Sequence, residues 1–214
     1  TREIPAVDAR LTFAAGAARD GDQPGIAHLT SNLLMSGTTE LDAGALARAY
    51  EREGAEVGTG AARDMGWIEL RSLSADEHLW PVARTVAALA AEPAFPQGEI
   101  ERLKSQQRTA LTSQAQQPGA LTGQAFWETL YADHPYGHEP LGTAESLDAI
   151  TRDDVRDFHQ RYYTAANANL AIVGDLSRDE AERLARVLTA SLPEGSAAPE
   201  LPPTPSLDEA TTVR

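Results

Sequence analysis

At 214 residues the chain is long enough to bury the core of one large domain, and 42% of it is hydrophobic. Its formal net charge of −14 reads as a solvated acidic surface and argues against nucleic acid or an anionic membrane as a partner, since both are polyanions. The absence of cysteine excludes disulfides, thiolate metal sites and thiol catalysis, and no apolar run approaches the ~18 residues that span a bilayer.

Val7, Ala9, Leu11 and Phe13 alternate with Asp8, Arg10 and Thr12, the period of a half-buried strand. The chain opens on Thr1 inside an alternating stretch, as though already in a strand, and without a signal-peptide pattern, as a mature or incomplete N-terminus would. Gly16 and Asp20-Gly21 break the strand. Pro24 can open a first helix with His28 and Asn32 on one face and Ile26, Leu29 and Leu33 towards a core, closed by Gly37. A second helix runs over about 42–53 and stops at Gly54.

Two strand-like runs follow, about 55–62 and 65–73, joined by Arg63-Asp64. Gly54, Gly58 and Gly60 permit a bulge or a close backbone approach there. Ser74 and Glu77 have capping-box spacing before a helix through Ala91, with Pro81 near its first turn or kinking it. After the Glu92–Pro96 loop, a long helix covers about 97–116. Pro118-Gly119 leads into another helix, carrying Phe126, Trp127 and Leu130, and residues 134–142 form a loop. Thr151 and Asp154 cap a helix to about Tyr162, 169–173 reads as a buried strand, and Ser177 with Glu180 caps a last helix to about Ala190. From Leu192 the chain is Pro-rich and reads as an extended linker. Helices and strands come in blocks, which predicts an α+β fold with a mostly antiparallel sheet.

Several constellations have a bland reading that outweighs the chemical one. His134 and His138 are four residues apart, but Pro135 and Gly137 between them describe a turn, where that spacing does not align two rings. Gly58 and Gly60 precede a strand instead of a helix N-terminus, so they are no phosphate cradle. Ser31, His28 and a carboxylate can be assembled on paper into a nucleophilic triad, yet no Gly-x-Ser-x-Gly turn is present. Trp67, Trp80, Trp127 and Tyr131 read as core or interface aromatics.

The segment Gly25-Ile26-Ala27-His28-Leu29-Thr30-Ser31-Asn32, continuing to Gly37-Thr38, resembles the metal-binding helix of the M16 family (insulinase, pitrilysin, mitochondrial processing peptidase). That helix reads roughly G-x-A-H-x-x-E-H-x-x-x-x-G-T and brings two His and a Glu onto one face, where they share a metal and its water. Gly25, Ala27, His28, Gly37 and Thr38 keep the register, while Ser31 stands where the general base would be and Asn32 where the second zinc His would be. The resemblance places the third ligand, a Glu, within Ser105–Leu111, a stretch with no carboxylate in which Ala110 lies nearest. It extends through Gly54-Ala55, Phe95 with Glu99-Ile100-Glu101-Arg102, His134-Pro135-Tyr136-Gly137 with Leu141-Gly142, and Tyr162-Tyr163 with Val173-Gly174-Asp175. In the family an Asn commonly stands at Gly58, on a strand beside the extended substrate.

The resemblance implies helices layered over one face of the sheet, in a domain spanning 1–191, with 192–214 starting a linker to a homologous second domain outside this chain. No catalytic, cofactor-binding or metal residue is expected here, and His28 is expected to serve packing and hydrogen bonding. The implied role is that of a non-catalytic subunit in a heterodimeric zinc peptidase. Such a subunit completes a peptide chamber for a partner that carries H-x-x-E-H and the zinc. A scaffold protein without any role in proteolysis is the first alternative, and an unrelated enzyme reusing the cleft is another. The resemblance alone suggests the periplasm.

Overall fold

The structure, a computed structural model, describes residues 4–206. Four strands, β1 (Ala6–Phe13), β2 (Glu56–Ala61), β3 (Gly66–Leu73) and β4 (Ala168–Gly174), form one antiparallel sheet in the order β2-β3-β1-β4. Around it lie α1 (Ile26–Leu33), α2 (Ala43–Arg52), α3 (Asp76–Ala91), α4 (Gln97–Gln114), α5 (Pro118–Tyr131), α6 (Ala144–Ala149), α7 (Arg152–Tyr162) and α8 (Arg178–Thr189). The expected α+β class and helix layering are what the chain adopts.

The two-residue period decides which face is covered. Val7, Ala9, Leu11 and Phe13 of β1 and Ile68 and Leu70 of β3 are buried under the helices, α3 and α1 lying against the sheet and α8 against α3. The opposite face presents Asp8, Arg10, Glu69 and Arg71 in cross-strand register, with Arg71 Nε donating to Asp8 Oδ1 at 2.8 Å. Phe13 packs on Tyr163 at 4.7 Å between ring centroids, and the His159 imidazole also stacks on Tyr163. This cluster ties β1 to α7 at the centre of the core.

Several local expectations are corrected. β4 is not a buried strand but the edge of the sheet: Val173 is 71% exposed, and inward-facing Leu170 and Ile172 are only partly covered. Gly58 and Gly60 make no bulge, because β2 pairs with β3 in unbroken register. Side chains of β3 lie across them instead: a Cβ at Gly60 would collide with the Trp67 ring, and one at Gly58 would stand 3.0 Å from Glu69 Oε1. Ser74 caps nothing; its hydroxyl donates to Asp175, and α3 begins at Asp76 after Ala75 as an uncapped N-cap, with Asp76 and Glu77 in the first turn. The helix runs through Pro81 beyond its first turn, and Thr85 Oγ1 donates to the Pro81 carbonyl. Trp80 is the only tryptophan of the core; Trp67 and Trp127 are half-exposed. α6, which no sequence signal marked, is a short helix opened by a Thr143–Ser146 capping box.

The Pro-rich tail has no regular structure up to residue 206, and it lies against the domain. Leu192 is buried, Ala198 N–H donates to Asn167 Oδ1, and Arg19 Nη1 donates to the Pro199 carbonyl at 2.6 Å. His134 Nε2 reaches the Pro202 carbonyl at 2.9 Å.

Candidate functional site

α1 lies against β2, α4 and α7, and its N-terminus is held from several segments at once. Pro24 does not open the helix. Gly25 is the N-cap, with φ +97, and a Cβ there would sit 2.7 Å from the Leu141 carbonyl oxygen. No side chain within the cap itself accepts a hydrogen bond; the acceptor comes from upstream. The buried Asp20 carboxylate accepts from Gly25 N–H (2.7 Å) and Ala27 N–H (3.0 Å), satisfying two orphan donors and placing negative charge at the helix N-terminus. His138 Nε2 approaches the same carboxylate at 3.0 Å, bringing in the 134–142 loop. Ser146 Oγ donates to the Pro24 carbonyl, and Gln107 Nε2 donates to the carbonyls of Leu141 (2.8 Å) and Gly25 (3.3 Å). Burial pushes the Asp20 carboxyl up, against the hydrogen bonds from His138, Gly25 and Ala27 that favour its charged form.

The motif positions themselves are chemically quiet. The His28 imidazole is half-buried, burial lowers its pKa, and it makes no hydrogen bond among the described residues. Packing is thus its visible role, and the expected hydrogen bond is not there. Ser31 is fully buried and its hydroxyl has no partner, so no Ser31–His28 dyad is assembled. Asn32 is partly covered, and Ala110, the position nearest the expected third ligand, is exposed on α4. What α4 buries is Ile100, Lys104 and Gln107, and Gln107 spends its amide on backbone carbonyls. Among the described residues no three His, Asp or Glu side chains come together as a metal would require. The donors at the motif positions and on the facing α4 are the His28 imidazole, the Ser31 hydroxyl and the Asn32 and Gln107 amides, which do not fit a zinc ion needing three or four protein ligands. His134 and His138 turn to separate partners, as the Pro and Gly between them imply.

A second cluster has little signature in the sequence. Arg63, in the β2–β3 turn, donates from Nη1 to the carbonyls of Tyr136 (2.8 Å) and His138 (2.9 Å) and lays its guanidinium 4.0 Å over the Trp127 ring. Trp127 stacks on Tyr131 at 5.1 Å, and Tyr136 donates its hydroxyl to Asp64. The only sequence signal is Arg63-Asp64 at a hairpin turn, with no hint that its partners lie more than sixty positions on. Asp20 is equally hidden, because Asp20-Gly21 reads as a chain breaker.

Two family profiles cover most of the chain: insulinase (peptidase family M16) over residues 2–144, and peptidase M16 inactive domain over 149–214. A solved structure described as a peptidase M16 inactive domain from Pseudomonas fluorescens is 40% identical with a TM-score of 0.93, over 96% of this chain and 50% of that one. An uncharacterized zinc protease of Mycobacterium leprae is 29% identical across 76% of this chain and 36% of its own length. A Helicobacter pylori protein named as the non-peptidase homolog YmxG is 27% identical across 85% of this chain and 42% of its own. The chain spans half or less of the length of these relatives.

Proposed function

The chain belongs to the M16 (insulinase) peptidase family, and from that premise we propose that it is part of the non-catalytic subunit of a two-subunit M16 zinc peptidase. One observation carries the reading: the fold around α1 is kept in full while all three positions that would supply the base and the other ligands hold Ser31, Asn32 and Ala110. A fold kept without its chemistry has a use if its inner face completes a chamber for peptides whose cleavage is performed elsewhere. The zinc and its activated water belong, in this proposal, to a partner with intact H-x-x-E-H. Residues 1–191 act as the first domain and 192–214 lead to a homologous second one. No described helix is long and apolar enough to cross a membrane. The periplasmic location is part of the proposal on family grounds and is tested by cell fractionation.

The deciding experiment measures zinc content and peptide cleavage for the full-length protein, for an M16 subunit with intact H-x-x-E-H from the same organism, and for their mixture. Zinc only in the second protein and cleavage only in the mixture are the expected results. Full cleavage by the second protein alone, unchanged when this chain is added, sinks the chamber role and leaves the scaffold reading.

A further inference from the structure

The Pro-rich segment after α8 is bonded to the domain at intervals from Leu192 to Pro202, where composition alone reads a linker. Leu192 is buried, and the carbonyls of Pro193 and Glu194 accept from Ala165 N–H (2.8 Å) and Ala166 N–H (3.0 Å). Those two donors open the short 3-10 turn Ala165–Asn167 ahead of β4, and such a turn leaves its first N–H groups without partners of its own. Gly195 is left-handed at φ +60, and a Cβ there would collide with the buried Thr164 side chain beneath it. Ala198 N–H donates to Asn167 Oδ1 at 3.2 Å, while Asn167 Nδ2 donates to the Tyr162 carbonyl at 2.7 Å. Both ends of one buried amide are thereby committed.

Two further bonds hold the distal half. Arg19 Nη1 donates to the Pro199 carbonyl at 2.6 Å, and His134 Nε2 donates to the Pro202 carbonyl at 2.9 Å. The other ring nitrogen fixes that tautomer: His134 Nδ1 accepts from Tyr136 N–H at 3.1 Å, which leaves the proton on Nε2. Three of the accepting carbonyls belong to prolines, Pro193, Pro199 and Pro202. Their rings hold φ near its extended value, so they lose little backbone freedom on docking. An extended chain without internal hydrogen bonds also leaves its carbonyls free to accept. The distal grips lie next to the anchor of α1 in the chain. Arg19 precedes Asp20, which accepts from Gly25 and Ala27 N–H, and His134 opens the loop whose His138 approaches the same carboxylate.

We propose that residues 192–202 are a strap of this domain and that the docked strap steadies the N-terminus of α1. It holds Arg19 and His134, one in each of the two segments that meet at the Asp20–His138 bond. Its release loosens both segments, and with them the carboxylate that caps the motif helix. The movable joint of the chain then begins after Pro202 instead of at Leu192. The inference rests on contacts within this chain and is independent of the two-subunit reading.

The test is amide hydrogen exchange of the full-length protein, resolved to single residues. In the wild type, Ala165, Ala166 and Ala198 exchange about tenfold or more below the rate of an unstructured chain. Gly195→Val cannot make the left-handed crossing over Thr164, and brings all three to within about twofold of that rate. It also speeds Gly25 and Ala27 about threefold or more, while amides of β1 and β3 do not change. Gly195 belongs to the strap itself, so an effect at Gly25 and Ala27 is carried by the strap. Arg19→Ala, at a partly exposed side chain, is the second variant and keeps the unfolding midpoint within a few degrees. It quickens Gly25 and Ala27 and leaves Ala165 and Ala166 slow. Unprotected Ala165, Ala166 and Ala198 in the wild type overturn the strap. Unchanged exchange at Gly25 and Ala27 in both variants overturns its hold on α1.

Discussion

The N-terminus of α1 and the length of α5 are opposite solutions to the same need for satisfaction. At α1, a buried carboxylate, a left-handed glycine, a glutamine amide and a serine hydroxyl converge from four segments, and several close contacts are to backbone atoms. At α5 no side chain is buried, and Leu121 and Phe126 stand open to solvent. The first region is therefore a scaffold element whose motif residues carry no reactive group in reach of another. The second leaves apolar side chains uncovered among the described residues. Where the family carries its zinc motif, this chain has a sealed Ser31 and an α1 N-terminus closed by hydrogen bonds from several segments.

The contrast breaks most visibly at Asp20. Asp20→Ala strips an acceptor from two backbone donors and from His138, all inside the fold, and is expected to cost about 4 kcal/mol in urea unfolding. A loss under about 1 kcal/mol would show that the anchor is no more important than an ordinary surface cap. Asp20→Asn keeps the size and part of the acceptor capacity, and should fall between the wild type and Asp20→Ala.

Acid probes the same closed side of the molecule. His159 Nε2 donates to the Ala90 carbonyl at 2.9 Å, and burial lowers the imidazole from its ordinary 6.5 to about 4. A histidine held neutral in the fold supports stability fully above the unfolded value, and that support is lost as pH falls from about 6.5 towards 4. The integrated loss is about 3 kcal/mol. His28 titrates in the same direction. Asp20, whose carboxyl burial pushes up, has the opposite sign and relieves part of the acid loss once it protonates. Urea midpoints measured from pH 7 down to 4, for wild type and His159→Phe, decide the matter: a variant as acid-sensitive as wild type sets the histidine assignment aside.

Rebuilding the motif sharpens the comparison further. Ser31→Glu with Asn32→His places a carboxylate where Ser31 is fully buried, and should destabilise the fold by about 2 kcal/mol while binding zinc weakly, because Ala110 still offers no ligand. No cleavage is expected. Tight stoichiometric zinc in calorimetry would mean that a carboxylate other than one near Ala110 completes the site. The smallest effect belongs to Ser31→Ala: the buried hydroxyl has no partner, so its removal should change stability by less than about 0.5 kcal/mol or raise it.

Much of the framework is legible in the order of the residues alone. The alternation in 7–13 and 66–73 separates covered from open faces because a strand's side chains must alternate. Thr151–Asp154 and Ser177–Glu180 are capping boxes because the reciprocal bonds need only four consecutive residues. Ser74–Glu77 has the same spacing and fails, since Asp175 takes the hydroxyl from a neighbouring element. β4 reads as buried from its apolar run, but burial depends on whether another strand follows it in the sheet.

At the site, the sequence by itself determined two identities: Ser31 and Asn32, which no folding can turn into the glutamate and histidine of H-x-x-E-H. It also determined the helix that displays them, through the frame from Gly25 to Thr38. Only the tertiary structure decided that Ser31 is sealed, that Asp20 and His138, 118 positions apart, share a hydrogen bond, and that Arg63 reaches across to hold α5. The physical reason is range. Periodicity, caps and residue identity act within a few positions of the chain, whereas burial and hydrogen-bond satisfaction are settled between segments that meet only once the sheet and its helices have packed.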